Sequence, residues 1–493
     1  MSLNETLELM KAATTAAPVD SLNKAVTTST GLVNYDLQAP AISLYPWGEK
    51  ITPLRAALPR VVSNAGDTAT RWKAITAINS TNVHPGLSEG NRGGQITETV
   101  SSKTAAFVGL GLENSLSFEA DYAASGFMDL KAQAMESSLR ALMLQEEKMI
   151  LAGNSSVALG TTPTPTTALV AGGSLADATY VVYCVALTAS GYQRSSVSAT
   201  GVVQTISRTN SDGSTDTINA GAAGKSAAGT SRTTSGSNNS ISAVVTPVVG
   251  AVAYAWYLGT AGAEKLHSIT TINSQLFTTA AGSSNQAFSA LSAGDFSAEG
   301  SYSFDGFLYQ TAFTSGSGAY LATLANGVAG TGSTLTSDGA SGISEIETAL
   351  ASFYDNYKCS PDSIWCNATQ LKKITSLIVG NSGAPLFRFT SDAANVGGLS
   401  GSTAVGSYLN KITQDLISIK VHPNMPPGTI LFTSKTIPYP LSGVGNVAQI
   451  KCRRDYYAIE FPLVSRKYQY GVYSDEVLQC YAPFAFGAIT NIA

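Results

Sequence analysis

The chain has 493 residues, of which 13% are charged and 44% are hydrophobic, and its formal net charge is −4. This length allows about three domains with cores of their own. Low charge combined with 21 tyrosines and 16 phenylalanines indicates a surface that partners largely cover, because a monomer of this size usually carries more charge for solubility. The slightly acidic balance argues against a protein that grips nucleic acid through a broad basic face.

The first residues and the rarest residue types set further limits. The start, MSLNETLELMK, carries Glu5 and Glu8 without a basic segment, which is not the pattern of a secretory signal. A charge-free run at 241–258 contains Pro247 and Gly250 and alternates, so we interpret it as strands rather than a membrane span. The three histidines offer no zinc spacing, and the scattered cysteines predict reduced, buried thiols: Cys184, Cys359, Cys366, Cys452 and Cys480. We therefore expect a chain that stays soluble inside a cell.

In chain order, the first predicted elements are an arm and a hairpin. Residues 1 to about 45 hold a short possible helix and no sustained pattern, which predicts an extended arm. Strand-like stretches follow at 68–78 and 95–116, separated by a polar turn region at 79–94 that holds Pro85 and four glycines. Two long strands with a wide tip predict a projecting hairpin. Such a hairpin cannot bury its own two faces, so we expect it to lie on a neighbour.

The stretch from about Phe118 to Gly153 predicts a long helix. It contains no proline, and its apolar residues recur at helical spacing: Met128, Met135, Leu139, Leu142 and Met149. Acidic residues lie toward its start and basic residues toward its end, as the helix dipole favours, and Gly153 is placed to end it with a left-handed cap. At 1.5 Å per residue this helix would span roughly 50 Å, so we expect it to lie across a domain. An ordinary core helix is the alternative.

After Gly153 the composition changes, and residues 155–299 are rich in Thr, Ser, Ala and Gly. Two runs alternate with a period of two, 179–187 and 251–258, which favours a β-sandwich. The segments TYVVYCVALTASGYQRSSVS and GAVAYAWYLGT loosely resemble strands of fibronectin type III or immunoglobulin-like domains. Between them, 207–240 is a low-complexity stretch that predicts a mobile loop.

From Ser301 the pattern is that of a mixed α/β protein. A helical stripe at 343–357 ends before Pro361, and a further helix is predicted from Asn367 or Thr369 to Leu377. Strands are predicted at 363–366, 416–421, 429–433, 456–461 and 476–481.

Motifs that could carry chemistry are weak. Gly86-Leu87-Ser88-Glu89-Gly90 matches the G-x-S-x-G nucleophile elbow, but Gly- and Asn-rich chain follows where a helix is needed. Gly224-Lys225-Ser226 lacks the earlier glycine of a phosphate-binding loop, because residue 219 is Asn219. Small basic clusters at 451–454 and 466–467 fit interface patches better than a nucleic-acid site. The sequence thus predicts no catalytic residue, metal ligand or cofactor, and no enzyme.

The order of the parts resembles that of tailed-bacteriophage major capsid proteins of the Hong Kong 97 fold. Phrases that carry the resemblance are AGDTATRWKAITAI, FDGFLYQTAF, IETALASFYDNYKCSPDSIWCNATQLKKI, VHPNMPPGTILF and YAIEFPLVSRKYQYGVYSDEVLQCYAPFAFGAITNI. They cover roughly 45–153 and 301–493, and none is an invariant motif. The resemblance implies an α+β fold with an N-arm, an E-loop, a spine helix, and peripheral and axial domains, into which an all-β sandwich is inserted.

Mapped onto this chain, the resemblance implies seven segments. They are an N-terminal arm at 1–66, an E-loop at 67–117, a spine helix at 118–154, and an immunoglobulin-like surface insertion at 155–300. The peripheral domain continues at 301–361, the axial domain occupies 362–450, and closing strands occupy 451–493. The insertion departs from the minimal family pattern, and we expect it on the outer surface.

The implied function is that of a major capsid protein that assembles into hexamers and pentamers of an icosahedral phage head. The implied partners are further copies of the chain, a portal, a separate scaffolding protein, a possible cement protein and double-stranded DNA held non-specifically, with no membrane. The implied location is the virion, assembled in the bacterial cytoplasm. Two alternatives stay open: an encapsulin-like nanocompartment shell, and a β-sandwich protein that binds surfaces. An enzyme reading would depend on Ser88.

Overall fold

The computed structural model describes residues 26–27, 33–34, 47–63, 66, 68–79, 84–339, 342–380, 405–437 and 446–493. Most of the predicted arm at 1–45, part of the hairpin tip at 80–83, and parts of the proposed axial domain at 381–404 and 438–445 lie outside these residues. Among the described residues, no helix is both long and apolar enough to cross a membrane.

The described residues form a mixed α+β structure, which confirms the predicted class. The helices are α1 Pro53–Ala57, α2 Phe118–Ala123, α3 Leu130–Ala152, α4 Ala189–Arg194, α5 Phe307–Gln310, α6 Ser344–Tyr357 and α7 Ala368–Gly380. The strands are β1 Val26–Thr27, β2 Val33–Asn34, β3 Arg60–Val62, β4 Ala69–Asn79, β5 Thr97–Ala106, β6 Val108–Ser117, β7 Thr166–Val170, β8 Thr179–Leu187, β9 Thr205–Thr209, β10 Thr215–Asn219, β11 Arg232–Thr233, β12 Ser240–Val244, β13 Ala253–Gly259, β14 Lys265–Thr270, β15 Ser274–Phe277, β16 Tyr320–Thr323, β17 Ser363–Cys366, β18 Ser407–Leu409, β19 Leu416–Val421, β20 Ile430–Thr433, β21 Ala448–Glu460, β22 Lys467–Cys480 and β23 Gly487–Thr490.

Two sheets organise the main body. One has the strand order β3-β21-β22-β6, in which β3 runs parallel to β21 and the other pairs are antiparallel. The other is a mixed sheet with the order β16-β23-β20-β17-β19-β18. Helix α3 packs against β6 and β22, and one hydrophobic cluster runs from this helix through both sheets, with Leu142, Ile150, Phe353, Phe432 and Leu478 among its buried members.

The predicted long helix is divided into two. Ser117 caps α2 and Asp129 caps α3, each side chain accepting a backbone N–H three residues on, and the chain between them turns through Gly126 at φ +86°. The 23 residues of α3 span about 35 Å, shorter than predicted. The predicted left-handed cap at Gly153 is also wrong, because its φ of −60° and ψ of 143° are extended. The chain leaves the helix there to enter the insertion.

The inserted segment forms two antiparallel sheets, β11-β8-β13-β14 and β15-β12-β7. Side chains from both sheets share one buried cluster, which includes Val182, Cys184, Ile241, Trp256 and Phe277. The other face of β8 and β13 is buried as well, under the segment 286–291, so neither strand has a solvent face. An immunoglobulin-like topology stays a prediction.

The stretch 207–240, predicted as a mobile loop, contains regular structure. It includes most of the hairpin formed by β9 and β10, all of β11 and the start of β12. Its hydroxyl and guanidinium groups bond to nearby backbone: Thr234 Oγ1 donates to the Ala176 carbonyl at 2.7 Å, and the Arg232 guanidinium donates to that of Thr167 at 2.5 Å. Polar groups thus stabilise a segment that is poor in apolar residues.

The two ends of the insertion meet at the end of α3. Asn154 is fully buried, and its side-chain amide donates to the carbonyls of Val157 and Ser297 at 2.8 and 2.9 Å. The Asp305 carboxylate accepts the backbone N–H of Ser155 at 2.7 Å, and Gly306 N donates to the Gly153 carbonyl at 2.9 Å. This closure lies where the composition of the sequence changes.

Candidate functional sites: a projecting hairpin, a groove and a buried ion cluster

Strands β4 and β5 form a two-stranded hairpin that is paired from Ala69↔Ala106 to Asn79↔Thr97. In the described part of the chain this ladder has only two strands, and β5 is exposed along most of its length. Val100 on β5 and Ile96 just before it are more than half exposed, whereas Trp72 near the base of β4 contacts the Tyr481 ring. The pairing confirms the predicted hairpin, but the predicted second strand at 95–116 is two strands, because β6 leaves the hairpin and pairs with β22 in the main sheet. A two-stranded ribbon with open faces is marginal in water and needs a surface to lie on.

The hairpin tip holds the G-x-S-x-G match, and its geometry is not that of a nucleophile elbow. Residues 84–96 form an exposed loop, and the chain continues from there into β5 rather than into a helix. The Ser88 hydroxyl accepts from the side-chain amide of Asn91 at 2.5 Å, and His84 Nδ1 accepts the Gly86 N–H at 3.0 Å. These contacts shape the turn. The tip also presents Leu87, Glu89 and Arg92 to solvent.

A groove of about 870 Å³ lies beside α2, near the start of α3. Apolar and aromatic groups line part of it, and Tyr122 is 86% exposed. The polar lining carries the carboxylates of Glu119, Asp121 and Asp129 and the cation of Arg466, which pairs with Glu119 at 3.0 Å. The groove is therefore acidic as well as partly apolar.

Two further apolar patches, one at a turn and one at a sheet edge, are open to solvent. Leu463 and Val464, in the turn between β21 and β22, are 60% and 89% exposed. At the edge of the mixed sheet, Leu409 on β18 and Leu416 on β19 face each other in register and are 52% and 71% exposed. Surface leucines and valines grouped at tips and edges are typical of contact surfaces between proteins.

A cluster of buried ionisable groups joins the described root of the arm to the main body. On α3, Glu147 is fully buried and accepts the backbone N–H groups of Leu54 and Arg55 at 2.8 and 2.7 Å. His422 Nε2 lies 2.7 Å from the same carboxylate, while its Nδ1 accepts the Asn424 N–H at 3.1 Å. Because Nδ1 accepts, His422 holds its proton on Nε2 and donates it to Glu147.

The neighbouring Glu146 is the centre of the ionic part of this cluster. Its carboxylate accepts from Arg55 Nε at 3.0 Å, from Arg60 Nη1 and from the Tyr456 hydroxyl. Arg60 also donates through Nη2 to Asp455 at 2.7 Å and to Glu476 at 2.6 Å. One guanidinium on β3 therefore contacts three carboxyl groups, from α3, β21 and β22.

Burial controls the electrostatics here. Burial and, second, the nearby Glu146 raise the pKa of Glu476 to about 7, although the Arg60 guanidinium opposes both. Burial and then Glu146 also raise the pKa of the Tyr456 hydroxyl. Glu476 Oε2 accepts from Arg60 and from the Ser474 hydroxyl, whereas Oε1 is buried without a hydrogen-bond partner among the described residues.

The other residues that the motif search singled out have structural contacts. Lys225 Nζ donates to the Leu291 carbonyl at 2.7 Å, and the Ser226 hydroxyl accepts the Cys184 N–H at 2.9 Å. Arg453 pairs with Asp475 at 2.9 Å, and the Arg454 guanidinium lies 3.9 Å from the centroid of the Tyr457 ring. All five cysteines are buried and free, which confirms the prediction for the thiols.

The sequence reasoning missed the ion cluster. A signal was present in part: Glu146 lies four residues after Leu142 and four before Ile150, on the buried stripe of the helix. A carboxylate on a buried stripe indicates a partner cation. Nothing local marked Arg55 or Arg60 as that partner, because they are more than 80 residues away.

No family model and no curated protein matches the sequence. Among solved structures, the capsid of a native GTA particle is 10% identical, covers 96% of this chain and 100% of its own, and has a TM-score of 0.44. The capsid of Myoviridae phage XM1 is 10% identical, with 95% and 100% coverage and a TM-score of 0.41. The holo-SrpI encapsulin complex from Synechococcus elongatus PCC 7942 is 8% identical, with 92% coverage of each chain and a TM-score of 0.39.

Proposed function

We propose that this chain is a major capsid protein, a structural subunit and not an enzyme, that assembles into the hexamers and pentamers of an icosahedral phage head enclosing double-stranded DNA. The observation that carries the proposal is the hairpin of β4 and β5, whose strand β5 is exposed along most of its length, with Val100 53% exposed. In a shell, a neighbouring copy of the subunit supplies the surface on which this hairpin lies.

The composition supports the same conclusion. Only 13% of the residues are charged, which suits a surface that other subunits bury. Shell contacts belong to the obligate class of interfaces, which bury about 2,000 Å² or more. Two exposed patches supply further apolar contact area: the Leu463–Val464 turn and the sheet edge with Leu409 and Leu416. These patches lie on different elements, so one subunit can contact several neighbours at once.

The groove beside α2 is the proposed seat for a neighbour's hairpin tip. Its lining carries three carboxylates and one cation, and the exposed tip carries the apolar Leu87 and the charged Glu89 and Arg92. An arginine that enters this groove would meet opposite charge, and a leucine would meet the exposed ring of Tyr122. Repetition of this contact around a ring closes a capsomer.

The insertion would face outward, as an immunoglobulin-like decoration on the head. Its two sheets share a core and its base is closed, while Ala189 and Val252 also pack into the core of the main body. A portal and a separate scaffolding protein would complete assembly in the bacterial cytoplasm, and a cement protein could bind the outer surface. DNA would be held without a strong basic face, in keeping with the net charge of −4.

Negative-stain electron microscopy of the purified full-length chain tests the proposal, first alone and then co-expressed with a candidate scaffolding protein. We expect closed shells or ring-shaped capsomers. Shells that form readily but never package DNA in an infected host would favour a nanocompartment instead. A small monodisperse species under every condition would contradict a shell function and favour a surface-binding protein.

A further inference from the structure

The buried cluster around Arg60 has an unusual charge balance. Glu146 and Glu476 have no exposed side-chain surface, yet they share one guanidinium with Asp455. Arg55 supplies the only other cation that contacts the cluster among the described residues, through Glu146. Three carboxyl groups around two cations leave one excess negative charge if all ionise, and an uncompensated buried charge is costly.

Geometry singles out Glu476 as the carboxyl group that can resolve this excess. Its Oε2 accepts hydrogen bonds from Arg60 and Ser474, while its buried Oε1 has no hydrogen-bond partner in the described residues. By contrast, both carboxylate oxygens of Glu146 accept hydrogen bonds, which come from Arg55, Arg60 and Tyr456. Asp455 is partly exposed to water. An unpartnered carboxylate oxygen is tolerated far better when the group is protonated and neutral.

We propose that Glu476 makes the root of the arm a pH-sensitive joint: the protonated cluster holds β3 and α1 firmly on α3, and ionisation of Glu476 loosens them. The groups that face it are Arg60 from β3, Glu146 from α3, Tyr456 and Cys452 from β21, and Ser474 from β22 itself. Asp455 on β21 shares the Arg60 guanidinium with it. Arg55 on α1 contacts Glu146 rather than Glu476 itself. Glu147, the next residue of α3, pairs with His422.

The direction of the pH dependence follows from linkage. Burial raises the pKa of Glu476 from 4.5 to about 7, so between these values the folded chain holds a proton that the unfolded chain has lost. The stabilisation from this group is complete below pH 4.5 and is lost as the pH rises through about 7. The joint is therefore firm in mild acid and looser above neutrality. Because the joint lies within one subunit, it does not depend on the proposed shell function.

Amide hydrogen exchange of the purified full-length chain between pH 6 and pH 8 tests the joint. After correction for the intrinsic pH dependence of exchange, we expect the amides of 60–62 and 54–55 to exchange about tenfold faster at pH 8 than at pH 6. Glu476→Gln, which keeps a neutral side chain at every pH, should abolish that difference. Glu460→Gln, which removes a surface carboxylate on β21 that pairs with Lys131, should leave it unchanged.

The outcome that overturns the proposal is equal protection at both pH values in the wild-type chain, or a pH dependence that survives in Glu476→Gln. Survival would show that a group other than Glu476 controls the joint. If Glu476→Gln does not fold, Ser474→Ala replaces it: loss of the hydroxyl that donates to the carboxylate should move the transition to higher pH. No movement in a folded Ser474→Ala protein would equally overturn the proposal.

Discussion

Two adjacent glutamates, Glu146 and Glu147, show how single residues can connect distant parts of this chain. Both are fully buried on α3, and between them they bind the side chains or backbone of Leu54, Arg55 and Arg60 and the ring of His422. Burying a carboxylate is unfavourable unless every lone pair is matched. The cluster is therefore sensitive to the removal of any one member, even where the intact cluster contributes little net stability.

At this scale we predict that Glu146→Ala lowers the free energy of unfolding by about 3 to 5 kcal/mol. The reason is that three donors lose the buried carboxylate that accepts from them: Arg55, Arg60 and the Tyr456 hydroxyl. Urea denaturation at pH 6 measures the change. The matched control is Glu136→Ala on the exposed side of the same helix, which removes a surface pair with Arg140. That loss should be within about 0.5 kcal/mol. Equal effects for both variants would show that the cluster is not a critical joint.

The elements differ in how far local sequence decides them. Strands β4, β17, β19 and β20 and helix α6 lie close to their predicted positions, because alternation and helical spacing are strong there. The predicted strand at 95–116 is divided into β5 and β6, which belong to different sheets. The break before α3 was missed. Gly126 and the capping side chain of Asp129 are local signals of a new start, but the absence of proline and the continuous apolar spacing suggested one helix.

For the hairpin we predict that Val100→Asp abolishes shell formation while leaving the subunit folded. Val100 is 53% exposed in the single chain, so a charge there costs the monomer little, but it would be buried against a neighbour. Electron microscopy measures assembly and circular dichroism measures folding. Val197→Asp is the control, since Val197 is 47% exposed on the insertion. Shells of normal yield from Val100→Asp would contradict the proposed role of the hairpin.

At the scale of the whole molecule, the insertion is packed onto the main body rather than hanging from it. The backbone N–H of Asn273 donates to the side chain of Asn491 at 2.8 Å, and the Asn491 amide donates back to Asn273 at 2.9 Å. The Tyr309 hydroxyl, fully buried in the main body, donates to the Gly250 carbonyl at 2.8 Å. Removing the insertion leaves the Tyr309 hydroxyl and the Asn491 amide oxygen without these partners, while the Asn491 amide nitrogen still donates to the Leu324 carbonyl at 2.6 Å.

We predict that replacing 156–299 by a short linker still permits shells at low temperature but lowers the melting temperature of the subunit. Each buried polar group left unpaired costs about 1 to 3 kcal/mol, and scanning calorimetry measures the sum. Asn491→Ala in the full-length chain is the matched variant: it should lose part of that stability and form normal shells. The prediction fails if Asn491→Ala is as stable as the wild type and the deletion variant folds but forms no particles. That result would show that the insertion carries contacts between subunits.

The sequence by itself determined the class of fold, the projecting hairpin, the approximate place of α3 and the inserted β segment, because these depend on periodicity and composition over short windows. It also determined that the thiols are buried and that Ser88 stands in a turn. Only the tertiary structure decided which residues meet across long separations. Arg60 joins Glu146 and Glu476, and Asn273 joins Asn491, through contacts whose partners lie from 86 to 416 residues apart. No local pattern encodes such pairs, because a buried charge specifies that a partner is needed but not where in the chain it lies.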